Sequence, residues 1–322
     1  MTLHTLAHDF VTITEKAAHA AAQTMGYGDE RHSDAVAVDA MREAFDGIDA
    51  LCRVVIGEGE RKHTALLSLG EEIGGGQDVE VDLAVDPLEG AQLCATGAPG
   101  ALSVVAAAER GGLLRAPDVD MEKLIVGPTA RGSIHLDAPV PENLRNIAAA
   151  FGREVSDLTV MILDRPRHEQ LIADIRAAGA RIRLLDDGDL SAAISAAVRG
   201  TGVHALMGTG GAPAGILAAA ALRCLGGEIQ ARFKATDKEQ KKRLDEVGIT
   251  DDSRIFKTED LASGNDIIFS ATGVTHGDFL RGVRFFGGGS RTSTMVMSLA
   301  ERNVRFIETI HQESDDCAIS FY

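Results

Sequence analysis

Two carboxylates, Asp86 and Glu89, stand three residues apart in VDPLEG (85–90), directly after the alternating apolar run Val81, Leu83, Val85. The alternation predicts a strand. Pro87 has no N–H to give to a ladder and Gly90 permits a tight backbone, so the strand is expected to stop in a turn there. Two acids at a strand tip can hold a hard divalent cation through oxygen, and they fit a solvated turn equally well. A second acidic pair, Glu58 and Glu60, is framed by glycines in IGEGE (56–60), after the strand candidate Val54–Ile56. It carries the same two readings, ligands in a pliant turn or a polar loop.

Three further groups fall where parallel strands would end, the place where open α/β sheets bind ligands. Arg165 and Arg167 flank Pro166, and two guanidiniums can grip a phosphate bidentately. Asp187 and Asp189 bracket Gly188 and suit the hydroxyls of a polyol. Gly208–Gly211 reads as a loop entering a helix, whose backbone N–H groups could receive an anion. Each group has a bland alternative in a surface turn, a helix cap or a chain reversal. Taken together, they favour a sugar-phosphate site.

The elements that would position these groups follow from periodicity. Residues 3–25 read as a helix ended by Gly26 and Gly28, and Ser33 or Asp34 can cap a second one. An acid such as Asp34 is favourable at a helix N-terminus. Ala101–Ala108 reads as a buried strand, residues 115–128 as a loop-rich stretch between prolines, and Pro141 as the start of a helix that Gly152 ends. From about residue 155 the pattern changes to regular alternation. Strands are expected at 158–163, 181–185 and 203–207, with helices at 167–178, 189–199 and 214–225. A charged helix at 238–247 and strands near 267–271, 283–286 and 304–310 follow. This pattern predicts an α/β protein with an N-terminal metal and phosphate subdomain (1–155) and a C-terminal sugar-binding subdomain (156–322).

Composition narrows the partners. With 322 residues, 45% of them hydrophobic, 35 Gly and no Trp, the chain can bury a layered core of small side chains. A net charge of −16 argues against nucleic acid and anionic membrane surfaces. Cys52, Cys94, Cys224 and Cys317 lie far apart with no CxxC spacing, which disfavours structural zinc and a disulfide framework. The first residues have no basic and apolar leader pattern, so a cytoplasmic location is expected.

The ordered set VIGEGE (55–60), VDPLEG (85–90), APDxxMEKLIVGP (116–128), RPRH (165–168), DGD (187–189), GGAP (210–213), AAALRCLGGEIQAR (219–232) and IIFSATGVTHGD (267–278) closely resembles class II fructose-1,6-bisphosphatase. The resemblance covers nearly the whole chain. It implies a layered α-β-α-β-α sugar-phosphatase fold, two α/β subdomains with the site between them, and a homo-oligomer. It also implies Mg²⁺ or Mn²⁺ and hydrolysis of the 1-phosphate of fructose 1,6-bisphosphate, with sedoheptulose 1,7-bisphosphate taken by some relatives. By matching motif, the metal-ligating carboxylates fall on Asp34, Glu58, Asp86 and Glu89. Sugar and distal-phosphate contacts fall on Arg165, Arg167, Asp187, Asp189 and Gly211, and further substrate-binding positions on Glu89, Gly90, Ala91 and Asp120.

Departures from the pattern cluster where phosphate, water and metal would meet. Ala91 stands for a threonine that helps activate water, and Ala214 for a glutamate metal ligand. Lys62 and His63 replace an acidic pair, Asp120 an aromatic residue and Glu30 a lysine. The first expectation is therefore a sugar bisphosphatase, weak or altered in substrate, using Asp86, Glu89, Lys62 and His63. Its rivals are a non-hydrolytic sugar-phosphate enzyme with Lys62, His63 or Asp120 as acid–base groups, and a catalytically silent sugar-phosphate binder. Charge counting adds an expectation of at most one divalent ion per chain, with the Lys62 ammonium salt-bridged to one or more of Asp34, Glu58 and Asp86.

Overall fold

The computed structural model describes residues 2–57, 67–76 and 79–312. Glu58, Lys62, His63 and Cys317 lie outside the described residues. The chain begins with α1 (Ala7–Ala22) and α2 (Glu30–Phe45), followed by β1 (Leu51–Ile56), β2 (Glu72–Ile73) and β3 (Glu80–Glu89). Next come α3 (Ala91–Thr96), β4 (Leu102–Glu109), β5 (Asp120–Val126) and α4 (Val140–Phe151). Then β6 (Thr159–Leu163), α5 (Glu169–Ala177), β7 (Arg181–Leu185), α6 (Asp189–Ala197), β8 (Ala205–Gly211) and α7 (Ala212–Leu225) alternate. The remainder is β9 (Glu228–Lys234), α8 (Lys238–Glu246), β10 (Phe256–Lys257) and α9 (Thr258–Leu261), then β11 (Ile267–Gly273), β12 (Arg284–Phe286), β13 (Gly289–Ser298) and β14 (Asn303–Gln312).

Among the described residues, eight strands form one sheet in the order β12-β13-β11-β4-β3-β1-β2, with β14 also on β13. Six form a second sheet, β10-β9-β5-β8-β6-β7. Five layers result because each sheet alternates which face its side chains serve. On β4, Val104, Ala106 and Ala108 turn inward with α6 and α7, while Val105 and Ala107 turn outward to α1 and α2. The second sheet does the same, packing Leu124, Val126, Val160 and Ile162 against α4 and α5. Helices α6 and α7 fill the space between the sheets, and their runs of alanine keep them thin enough to touch both. No helix among the described residues is long and apolar enough to cross a membrane.

Several elements differ from the sequence expectation, each for a physical reason. Helix α2 starts at Glu30, because Asp29 is its cap and accepts the His32 N–H at 3.0 Å; Ser33 and Asp34 are interior. Strand β3 runs on to Glu89, and its pairing with β4 skips Pro87 by shifting register between Asp86 and Glu89. The stretch expected to be loop-rich contains β5, which pairs with β8 on one side and β9 on the other. Strands β9 and β13 were not anticipated. Sheet membership is interleaved along the chain rather than changing once near residue 155: β5 belongs to the second sheet and β11–β14 to the first.

Gly208–Gly211 is likewise not a loop but the end of β8, paired residue for residue with Lys123, Glu122, Met121 and Asp120. At the start of α7, the Ala212 N–H is taken by the Val119 carbonyl at 2.8 Å and Pro213 has none, so the expected anion cradle loses two of its donors. Two of these glycines make room for side chains. A Cβ on Gly210 would sit 2.2 Å from Asp189 Oδ2, and one on Gly208 3.0 Å from His168 Nε2.

Candidate functional site

A cleft of about 560 Å³ opens where β3 ends against the tips of β6 and β7. Asp34, Asp86, Glu89, Gly90, Ala91, Arg165 and Asp187 line it, so seven of the anticipated positions meet in one space. The backbone explains the approach. Gly90 takes the left-handed region (φ 79°) between the end of β3 and the first turn of α3, which turns the chain abruptly behind Glu89.

Two carboxylates clamp the cleft reciprocally. Glu89, from the first sheet, accepts the Leu190 N–H of α6 through Oε1 at 2.9 Å. Asp187, from the second sheet, accepts backbone N–H groups from Gly188 and from Gln92 of α3. Each acid thus satisfies donors at the N-terminus of the helix across the cleft, where the helix dipole also favours it. Burial pushes the Glu89 carboxyl up to about 7, aided by repulsion from Asp189 and Asp187, against the opposing hydrogen bond it shares with Asp86. Asp187 is raised as well, chiefly by burial.

Below the cleft lies a group that sequence reasoning missed. Lys123 of β5, only 3% exposed, reaches Asp189 at 2.5 Å and the Gly211 carbonyl at 2.8 Å. Its only signal in the sequence was a lone cation inside the apolar run MEKLIV. Asp189 is therefore committed to an ion pair rather than held out for a hydroxyl. The pair requires Gly210, so Gly210→Ala is expected to cost about 2 kcal/mol or more, as overpacking does. Gly47→Ala, where the nearest atom is 3.9 Å away, should leave the urea midpoint near the parental value.

The arginines diverge instead of converging. Arg165 donates to the carbonyls of Asp164 (2.9 Å) and Asp186 (2.7 Å), toward the tip of β7. Arg167 donates twice to the Thr209 carbonyl, at 3.2 and 2.8 Å, toward β8 on the other side. Of these two, Arg165 lines the cleft, together with Arg31 of α2, and Arg167 does not. His168 ties the same tips together, donating from Nδ1 to the Leu163 carbonyl (2.7 Å) and accepting the Thr209 N–H at Nε2 (2.8 Å), which marks it as structural. Asp120 and Gly211 face each other across β5 and β8, outside the lining of the cleft. Ala214 is buried in the core between the sheets.

The acids of the cleft are oxygen donors of the kind that suits a hard divalent cation, and the raised Glu89 carboxyl marks a place where added positive charge would be welcome. Among the described residues, no three His, Cys, Asp or Glu side chains form a ready metal cluster. Cys52, Cys94 and Cys224 are free thiols, the first and last pushed up to about 12 by burial.

Comparison with known proteins bears directly on this arrangement. Residues 4–311 match the family model described as bacterial fructose-1,6-bisphosphatase, glpX-encoded. A protein of Synechococcus sp. (strain JA-3-3Ab), named D-fructose 1,6-bisphosphatase class 2/sedoheptulose 1,7-bisphosphatase, is 48% identical, with 95% of each chain covered. Proteins of the same name from Gloeobacter violaceus (44% identical, 95% of this chain and 96% of the relative) and Synechococcus elongatus (43%, covering 98% and 99%) are similar throughout.

Proposed function

Because the chain belongs to the class II fructose-1,6-bisphosphatase family, we propose that it hydrolyses one phosphomonoester of a sugar bisphosphate in the cleft between Asp86, Glu89 and Arg165. The observation that carries this reading is the cleft itself, in which family-matched acids and the guanidiniums of Arg165 and Arg31 line a single space. The substrate is of the fructose 1,6-bisphosphate or sedoheptulose 1,7-bisphosphate type, in keeping with the relatives' names.

Asp34, Asp86 and Glu89 would hold Mg²⁺ or Mn²⁺, joined by Glu58 in the resemblance, and at most one ion per chain is expected. When bound, such an ion offsets the acids' charge and polarises a phosphoryl oxygen. The chain's own residues do the rest. Arg165 offers a charge-assisted donor to a phosphate, and Asp187, already anchored by two N–H groups, orients a sugar hydroxyl. Water adds to phosphorus, the bond from phosphorus to the sugar oxygen breaks, and that oxygen takes up a proton. Glu89 would be held ionised by a bound cation, whereas in the metal-free chain burial keeps its carboxyl up to about 7.

One feature favours a second reading, a binder with little turnover: Ala91 borders the cleft with a methyl group where the family pattern has a hydroxyl. A phosphate-release screen over sugar bisphosphates, with and without Mg²⁺ or Mn²⁺, separates the two. Metal-dependent release supports hydrolysis. Tight binding without release supports the binder, and neither result would remove both readings. Metal content after Mn²⁺ loading tests the ion count, and two well-occupied ions per chain would refute it. In the same screen Arg165→Ala is expected to weaken sugar-phosphate affinity by about tenfold or more. Arg167→Ala should matter less, because its guanidinium serves β8. Equal effects by calorimetry would show that both arginines reach the ligand.

A further inference from the structure

A second cavity, of about 400 Å³, lies beneath the ends of α4 and α6, away from the cleft. Its walls are mostly apolar, with Phe151, Ala197 and Val203 among them. Its polar side chains include Arg153, Arg199 and His204, and none of its lining residues is acidic. In a chain of net charge −16, a purely cationic lining calls for an explanation. Arg199 has one, since a cation just past the end of α6 suits the helix dipole.

Arg153 and His204 do not. The Thr159 N–H donates to His204 Nδ1 at 3.0 Å, so Nδ1 carries no proton and the neutral ring bears it on Nε2. Arg153 Nη1 stands 3.3 Å from that Nε2. A guanidinium can only donate, so two donors face each other with no acceptor between them. His204 is 6% exposed, so an acceptor for its Nε2 would come from the cavity it lines. Burial, then the Arg153 and Arg181 charges, hold the His204 imidazole below its ordinary value against the hydrogen bond with Thr159 and the Asp157 charge. The Phe151 ring meets the imidazole edge-on at 5.0 Å and fixes its plane.

We propose that this cavity binds a phosphate- or phosphonate-type oxyanion carried on an apolar or aromatic body, the anion accepting from both Arg153 Nη1 and His204 Nε2. The apolar wall takes the body, and the volume falls within the usual range for small-molecule sites. The site is independent of the cleft and of the reaction proposed there.

Phenylphosphonate, which has no ester bond to hydrolyse, is the probe. It would be titrated into full-length protein carrying Arg165→Ala, which weakens anion binding in the cleft, with the His204 ring nitrogens followed by NMR and affinity by calorimetry. Phenylphosphonate is expected to move the His204 Nε2 resonance. Methylphosphonate should bind about tenfold more weakly for want of the apolar body. Arg153→Gln, an exposed position, should weaken phenylphosphonate about tenfold or more while leaving sugar-phosphate binding in otherwise parental protein unchanged. An unmoved His204 resonance, or undiminished affinity in Arg153→Gln, would overturn the proposal. Equal affinity for methylphosphonate would overturn the apolar half of it.

Discussion

Phosphate release from a sugar bisphosphate is expected to fall by at least about two orders of magnitude in a Glu89→Gln variant, while the chelated protein becomes more stable above neutrality. Both effects come from the same burial. Gln keeps an oxygen for the Leu190 N–H but cannot ionise. In the parent, the folded chain holds the Glu89 proton up to about pH 7, whereas the unfolded chain releases it near 4.5. Between those values the folded state binds more protons, so stability falls as pH rises. The contribution is complete below the unfolded value and is lost as pH passes through about 7. At pH 8 the loss is on the order of 3 kcal/mol, and Glu89→Gln does not suffer it. Urea midpoints with chelator at pH 4.5 and pH 8 are the measurement. The variant should match the parent at the lower pH and exceed it at the higher one. Parental turnover, or no gain at pH 8, would contradict the role assigned to this carboxyl.

Lys123→Met should destabilise the fold by about 3–5 kcal/mol, because it strips the partner from a buried carboxylate. Asp189, 8% exposed, would be left charged beside Glu89 and Asp187. In the chelated protein its uncompensated charge should raise the Glu89 carboxyl further and move the pH-dependent loss of stability to higher pH. The double variant Lys123→Met/Asp189→Asn removes the stranded charge and should recover more than half of the loss. Denaturation of both variants, together with the pH profile of the single one's urea midpoint in chelator, is the test. A single variant as stable as the parent would mean that the pair gives the cleft no support. This readout separates a positioning residue from an ordinary core side chain, since simple loss of packing would not shift the profile.

Local pattern was enough for much of this protein. The alternation on β3, the apolar run of β4, the glycine-ended helix α4 and the strand–helix rhythm from β6 to α7 are set by residues a few positions apart, so they are legible in the sequence. So was the gathering of Asp34, Asp86, Glu89, Ala91, Arg165 and Asp187, through motifs matched in order. The failures have a common cause. β5 was hidden because flanking prolines signal a loop, while what holds it as a strand is pairing with β8 and β9, later in the chain. Gly208–Gly211 resembled a loop because glycine's commonest use is conformational freedom; Gly208, at φ 135°, does use it, but Gly210 is required by the volume of Asp189, which arrives from another element. Lys123 carried no assignment in the sequence, because its partner Asp189 reaches it only through folding. The reciprocal contacts of Glu89 with α6 and of Asp187 with α3 exist only once the two sheets are stacked. Residue types and spacing decide backbone periodicity, because that depends on neighbours along the chain. Room for a side chain, the partner of a buried charge and the ionisation of Glu89 depend on neighbours in space, and tertiary structure alone supplies those.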